Sequence, residues 1–231
     1  MAEIDWTAFS GGLTTASLKR GVTYGITPPP GGGSFVYGYN SVDTLEGAAG
    51  MFANQVNFAP MAKGGSVRGC VKRGVSGGNV GFSPFLAVGI QGSAIADNAY
   101  LLGLTDEEPY RIALKKGAMA TGMGQYTNPQ IKRLSIETFL PDRWFHLRID
   151  MVVNLTGDVI LDVWQNDLTL HPIGTAPDWQ PVAGMGQLVD DVLGVNTGSF
   201  PYTSGRAGIG CWKNDVTRRV YFDQLEVIRQ L

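Results

Sequence analysis

Two cysteines in 231 residues are too few for a disulfide scaffold. Cys70 and Cys211 form no CxxC pair and show no metal-ligand spacing. Each sits in an apolar alternating run, which reads as a buried free thiol. A bridge between the two is the other reading. Histidine is equally scarce. Neither His146 nor His171 has a serine or cysteine nearby in a nucleophile setting, so both read as ordinary surface or groove histidines. Charge of one sign is missing too: 18 basic residues stand against 20 acidic ones, a formal net of −2. That balance gives no reason to expect nucleic acid or membrane as a partner. No apolar run approaches the ~18 residues of a membrane span, and the N-terminus has no apolar signal core. Synthesis in the cytoplasm is the expectation. The GGGS stretch at 31–34 is not followed by a helix carrying Lys-Ser/Thr, which excludes a phosphate loop.

What the chain has is glycine and alternation. Glycine supplies 32 of 231 residues, about twice the usual share. The stretch from Arg143 to Asp167 carries the clearest pattern. Phe145, Leu147, Ile149, Met151 and Val153 alternate with Trp144, His146, Arg148, Asp150 and Asn154. Val159, Leu161 and Val163 repeat the period, with Asp158 and Asp162 on the other face. A period of two predicts strands with one apolar face. Asn154 to Gly157 supplies turn chemistry, so the two arms form a β-hairpin. The Asn154-Leu155-Thr156 sequon is read as that turn.

Residues 1–33 break the pattern. Ile4, Trp6, Phe9, Leu13 and Leu18 are spaced at neither 2 nor 3.6, and Pro28-Pro29-Pro30 then Gly31-Gly32-Gly33 read as an extended segment and a joint. The expectation is an N-terminal arm, with Trp6, Phe9, Leu13 and Leu18 as interface residues. It either wraps over its own domain or docks on a neighbouring subunit.

One domain is expected from 34 to 231. Phe35, Tyr37 and Tyr39 alternate; Val56 and Phe58 mark a strand; Val67, Cys70 and Val71 mark another, with Gly69 as a bulge. The nearly continuous apolar run at 78–90 predicts a central strand. Strands follow at 99–104, 110–116 and 133–140. Residues 168–205 lose the pattern and read as a long insertion, with a short helix around Leu188 to Leu193. Two strands close the chain. All this predicts an all-β, two-sheet antiparallel sandwich.

The order of several segments resembles a known pattern. Arg143-Trp144-Phe145-His146-Leu147 opens a strand that ends at a tight turn, and its partner carries Asp162-Val163-Trp164. Gly205-Arg206-Ala207-Gly208-Ile209-Gly210 and Val220-Tyr221-Phe222-Asp223-Gln224-Leu225 follow. Over roughly 50–229 this is similar to the concanavalin A-like lectin/glucanase superfamily, in particular laminin-G-like jelly rolls, and implies two curved sheets face to face. The opening, GVTYGITPPPGGGSFVYGYNS and FAPMAKGGSVRG, resembles structural proteins of tailed bacteriophages. That likeness implies a non-enzymatic virion protein made in the host cytoplasm and present as a homo-oligomer. It would act as a capsid decoration or tail module whose partners are other virion proteins. The alternative is a lectin-like domain that recognises host-surface glycan.

Site chemistry is sparse. Glycosidases of this superfamily place carboxylates alternately on one strand, and a retaining pair must lie ~5–5.5 Å apart. No such run exists: Glu137 and Asp142 flank Pro141 at a strand end, and Glu107 and Glu108 are adjacent in a turn. No catalytic residue and no cofactor is predicted. Pairing Met151 with Leu161 would set Asp150 opposite Asp162, so something must offset the repulsion. Arg148 or an offset register is preferred. A cation held by Asp150 and Asp162 is the lesser alternative, since calcium favours clustered carboxylates. Trp164, Trp179 and Trp212 are candidate sugar-stacking platforms, set against simple packing roles.

Overall fold

A computed structural model describes residues 6–8, 18–22, 26–33, 35–39, 47–53, 64–74, 82–105, 109–121, 123, 131–140, 142–193, 199–213 and 220–229. The strands are β1 (Trp6–Ala8), β2 (Leu18–Val22), β3 (Phe35–Tyr39), β4 (Gly47–Ala53), β5 (Gly64–Arg73), β6 (Phe82–Ile90), β7 (Asn98–Leu104) and β8 (Ile112–Ala118). They continue as β9 (Ile131–Leu134), β10 (Trp144–Val153), β11 (Val159–Asn166), β12 (Trp179–Pro181), β13 (Leu188–Asp190), β14 (Arg206–Lys213) and β15 (Val220–Arg229). Among the described residues the only helical element is a 3-10 turn, Met119–Thr121. Two antiparallel sheets result, ordered β1-β4-β14-β6-β7-β8-β9 and β12-β11-β10-β5-β15-β3-β2, with β13 also on β11. The architecture is the predicted all-β jelly-roll sandwich.

The hairpin forms as its alternation requires. Met151 pairs with Leu161 and Asp150 with Asp162. Its turn is closed by Asn154, whose Oδ1 accepts from the Thr156 N–H (3.0 Å), the Thr156 hydroxyl (2.7 Å) and the Asp158 N–H (2.8 Å). Gly157 takes φ +92°, which a side chain would resist. The sequon threonine is thus spent on the turn.

Phe145, Leu147, Ile149, Val159, Leu161, Ala207, Ile209 and Phe222 all lie in one cluster between the sheets. β6 is the middle strand of its sheet. Its apolar run is unbroken because both faces are covered. Leu86 and Val88 face the other sheet, whereas Phe85, Ala87 and Ile90 join Met119 and Met123 on the outer face.

Gly69 sits opposite a bulge rather than in one. The β15 register shifts between Asp223 and Glu226, and a Cβ on Gly69 would come within 2.7 Å of Leu225 Cδ2. Both cysteines are buried, and neither is in a disulfide. Cys211 lies in the core between the sheets, and Cys70 packs with Trp144, Leu168 and Tyr221 in a separate cluster on the outer face of the eight-stranded sheet. A sheet therefore separates them, which disposes of the disulfide.

Several sequence expectations need correction. The strand expected at 133–140 ends at Leu134. Ser135 stops it: its hydroxyl accepts the Ile112 N–H (3.1 Å) and donates to the Glu137 carbonyl (2.8 Å), and the chain leaves the sheet. No helix forms near Leu188; β13 pairs there with β11. The 168–205 insertion is no featureless loop, since β12 and β13 extend the sheet edge and Val182, Met185 and Leu188 enter the core. Nor does the sandwich begin at residue 34. β1 pairs with β4 and β2 with β3, so Trp6 and Leu18 lie on edge strands of this chain's own sheets. Phe9 and Leu13 lie outside the described residues, as do Ile4, Val56, Phe58, Glu107 and Glu108. The proline-glycine stretch is seated rather than free. Pro29 is buried, the Thr27 carbonyl accepts the Trp144 indole N–H (2.8 Å), and the Pro30 carbonyl accepts the Ile173 N–H (2.8 Å).

Candidate functional site: an end cleft and a polar strip

Antiparallel register brings polar side chains into rows on the outer face of the eight-stranded sheet. One row runs Pro181, Trp164, Arg148, Arg68, Glu226 across β12, β11, β10, β5 and β15. The next runs Trp179, Asn166, His146, Cys70, Asp223. Trp164 and Trp179 therefore share a face at one sheet edge. Trp212 does not join them; it packs on the outer side of the seven-stranded sheet.

Charges on this strip are matched. Arg148 Nε donates to Asp150 (2.7 Å), whose other carboxylate oxygen accepts the Trp164 indole N–H (2.9 Å). This answers the Asp150–Asp162 juxtaposition: the register is not offset, and Arg148 supplies the countercharge. Asp162 meets the Gln187 amide at 3.3 Å. Arg68, directly across from Arg148, is ion-paired with Glu226. Among the described residues no group of His, Cys, Asp and Glu is placed to hold a metal ion.

Of the two expectations for His146, surface or groove, the structure gives the groove: the residue lines both the end cleft and a small pocket and is 7% exposed. Its ring packs 4.6 Å from the Trp179 ring, and Nδ1 lies 3.2 Å from Asn166 Nδ2. Burial, and then the Arg68 charge, push its pKa down to about 4, so the imidazole is uncharged at neutral pH. Asn166 ties this corner together: its Nδ2 also donates to the His171 carbonyl (2.9 Å), and its Oδ1 accepts the Asp178 N–H (2.9 Å). The loop from Asp167 to Asp178 is thereby folded back over the sheet, closing a pocket of about 140 Å³ against Arg68, His146 and Glu226.

Where β10 begins and β11 ends, a cleft of about 620 Å³ opens at the end of the sandwich. Trp144, Phe145 and Phe139 provide aromatic surface, with Phe139 and Phe145 centroids 4.5 Å apart. Gln165 and Gln180, cross-strand partners on β11 and β12, supply amides. Thr138, Arg143 and Asp167 supply hydroxyl, guanidinium and carboxylate. Asp142 sits at φ +69° and is ion-paired with Lys72 (2.7 Å). The Thr169 N–H, 2.8 Å from Asp167, holds that carboxyl below the usual range. A cleft of this size, apolar on one side with a few oriented polar groups, is the form small-molecule sites take. Sequence reasoning singled out the tryptophans but missed the cleft. Its lining comes from six separate stretches, and no local pattern links them.

No family model matches the chain, and no curated protein is similar to it in sequence. Solved structures resemble it in architecture. A carbohydrate-binding module, CBM66 from Bacillus subtilis, is 10% identical with a TM-score of 0.48, covering 96% of this chain and 94% of that one. The PL-14 alginate lyase from Aplysia kurodai is 10% identical with a TM-score of 0.48, covering 96% and 90%. The exoplasmic/lumenal domain of VIP36, in its Ca2+/Man3GlcNAc-bound form, is 10% identical with a TM-score of 0.48, covering 98% and 84%. These likenesses transfer no individual residue to this chain.

Proposed function

We propose that the protein is a non-enzymatic carbohydrate-recognition module and that the end cleft holds the glycan. The cleft itself carries this reading. A pyranose offers hydroxyls that both donate and accept, and a C–H face that is apolar. The cleft sets amides, carboxylates and a guanidinium around Trp144, Phe145 and Phe139. β12 links it to the strip, since Gln180 lines the cleft and Trp179 lies on the outer row. Hydrolysis is disfavoured because it needs two cooperating carboxyls. Asp142 is ion-paired with Lys72, Asp167 is held by the Thr169 N–H, and Glu137 is left alone. A glycan array followed by calorimetry tests the reading. Arg143→Ala and Gln165→Ala should each weaken binding by about tenfold, roughly 1.4 kcal/mol, while Trp212→Ala leaves it unchanged. Silence across the array would remove the proposal.

A second reading is that the module works in a tailed-phage virion, in many copies, through surface contacts. Its support is the apolar surface at the hairpin tip, where Leu155 and Leu193 are exposed and Val192 lies beside Gly157. Co-sedimentation with phage particles, and loss of it in Leu155→Ser/Leu193→Ser, checks that role.

A further inference from the structure

We infer that the glycan bound in the cleft is uncharged, and that the cleft discriminates against chains bearing carboxylate or sulfate. This deepens the carbohydrate reading and rests on it. Among the described residues, the ionised groups lining the cleft are the carboxylates Glu137, Asp142 and Asp167 and the cations Lys72 and Arg143. Negative charge is in excess, because His146 is uncharged at neutral pH. Nor is Lys72 at liberty to receive an anion: its side chain is 6% exposed, and its ammonium lies 2.7 Å from Asp142 and 5.8 Å from the Trp144 ring centre. Arg143 stacks at the rim, 5.1 Å from the Phe145 ring centre. A single rim guanidinium is not the cationic cluster that anion recognition employs.

The adjoining strip repeats the arrangement. Arg148 is paired with Asp150 and Arg68 with Glu226. On both surfaces a cationic donor stands beside an anionic acceptor. That juxtaposition suits two neighbouring hydroxyls, one accepting from the cation and one donating to the carboxylate. A uronate or sulfate would displace a carboxylate from its partner or lie against unpaired ones, and either costs affinity.

Calorimetry on the full chain decides this, with cellohexaose, laminarihexaose and mannohexaose as neutral probes and oligoguluronate and oligogalacturonate as anionic ones. At least one neutral hexasaccharide should bind about tenfold or more tighter than either uronate. Its affinity should change less than about twofold between roughly 50 and 500 mM NaCl, since no net charge is neutralised. Glu137→Gln/Asp142→Asn should gain uronate binding, because Lys72 is then released; asparagine tolerates the left-handed backbone at 142. Uronates that bind as tightly as the neutral sugars, with affinity falling steeply in salt, would overturn the inference and leave the glycan reading standing. No binding to any of the five, together with silence across the glycan array, would overturn both.

Discussion

Lys116 Nζ lies 2.7 Å from Asp190 Oδ2, and neither side chain has any exposed surface. Lys116 is on β8 in one sheet and Asp190 on β13 beside β11 in the other, so the pair ties the sheets together through the sandwich. The Tyr100 hydroxyl donates to Asp190 and accepts the Tyr202 N–H (2.9 Å). The ammonium also donates to the Ser199 (3.1 Å) and Phe200 (3.0 Å) carbonyls. The ion pair and its neighbours thus satisfy one another in a place water does not reach.

Removing one partner leaves the other charge buried and alone. Lys116→Met or Asp190→Leu should therefore cost about 3–5 kcal/mol, whereas the double variant should recover much of that loss. Urea denaturation of the three variants provides the comparison. Single variants as stable as the parent would show that the tie contributes nothing.

Leu147 and Ile149 face the core with no exposed surface. Truncating either to alanine should cost ~2–5 kcal/mol, because the rigid sheets on both sides cannot collapse into the space. A loss under about half a kcal/mol in denaturant titration would contradict the packing.

His146 makes stability depend on pH. Its folded pKa of about 4 lies below the ordinary 6.5 of an unfolded histidine. Between those values the unfolded chain binds a proton that the folded chain does not, so stability falls as pH drops from about 6.5 to 4 and then levels off. The full effect is up to about 3 kcal/mol, from 1.36 kcal/mol per pKa unit. His146→Gln should flatten the dependence in that window; an identical slope in the variant would assign it to other groups.

Edge pairing of β1 and β2 predicts the effect of deleting residues 2–27. The deletion removes a strand from β4, a strand from β3, and the Thr27 carbonyl that accepts the Trp144 indole N–H. A loss of about 2 kcal/mol would lower the thermal midpoint by ~4–8 °C in a domain of this size. A midpoint unchanged by the deletion would instead make residues 1–33 an arm separable from the sandwich.

The sequence by itself determined the sandwich. Alternation at 143–167 placed the hairpin and its inward face, because a slip by one residue would turn every apolar side chain outward. Pairing Met151 with Leu161 set Asp150 against Asp162, but whether Arg148 or an offset register relieved the repulsion was decided by the structure. The unbroken apolar run of β6 marked a strand covered on both faces. Only the tertiary structure decided the rest. Residues 1–33 and 168–205 lack periodicity because their strands are short and lie at sheet edges, where one side of the ladder has no partner to enforce a pattern. His146 alternates like a surface residue yet is buried, since a loop from beyond the strand folds over it. The cleft is assembled from Thr27–Pro30, Lys72, Ile112, the 135–143 turn, the ends of β10 and β11, and Gln180–Ala183. Nothing local links those segments; the pairing of β12 with β11 and the Trp144 indole N–H bonded to the Thr27 carbonyl bring them together.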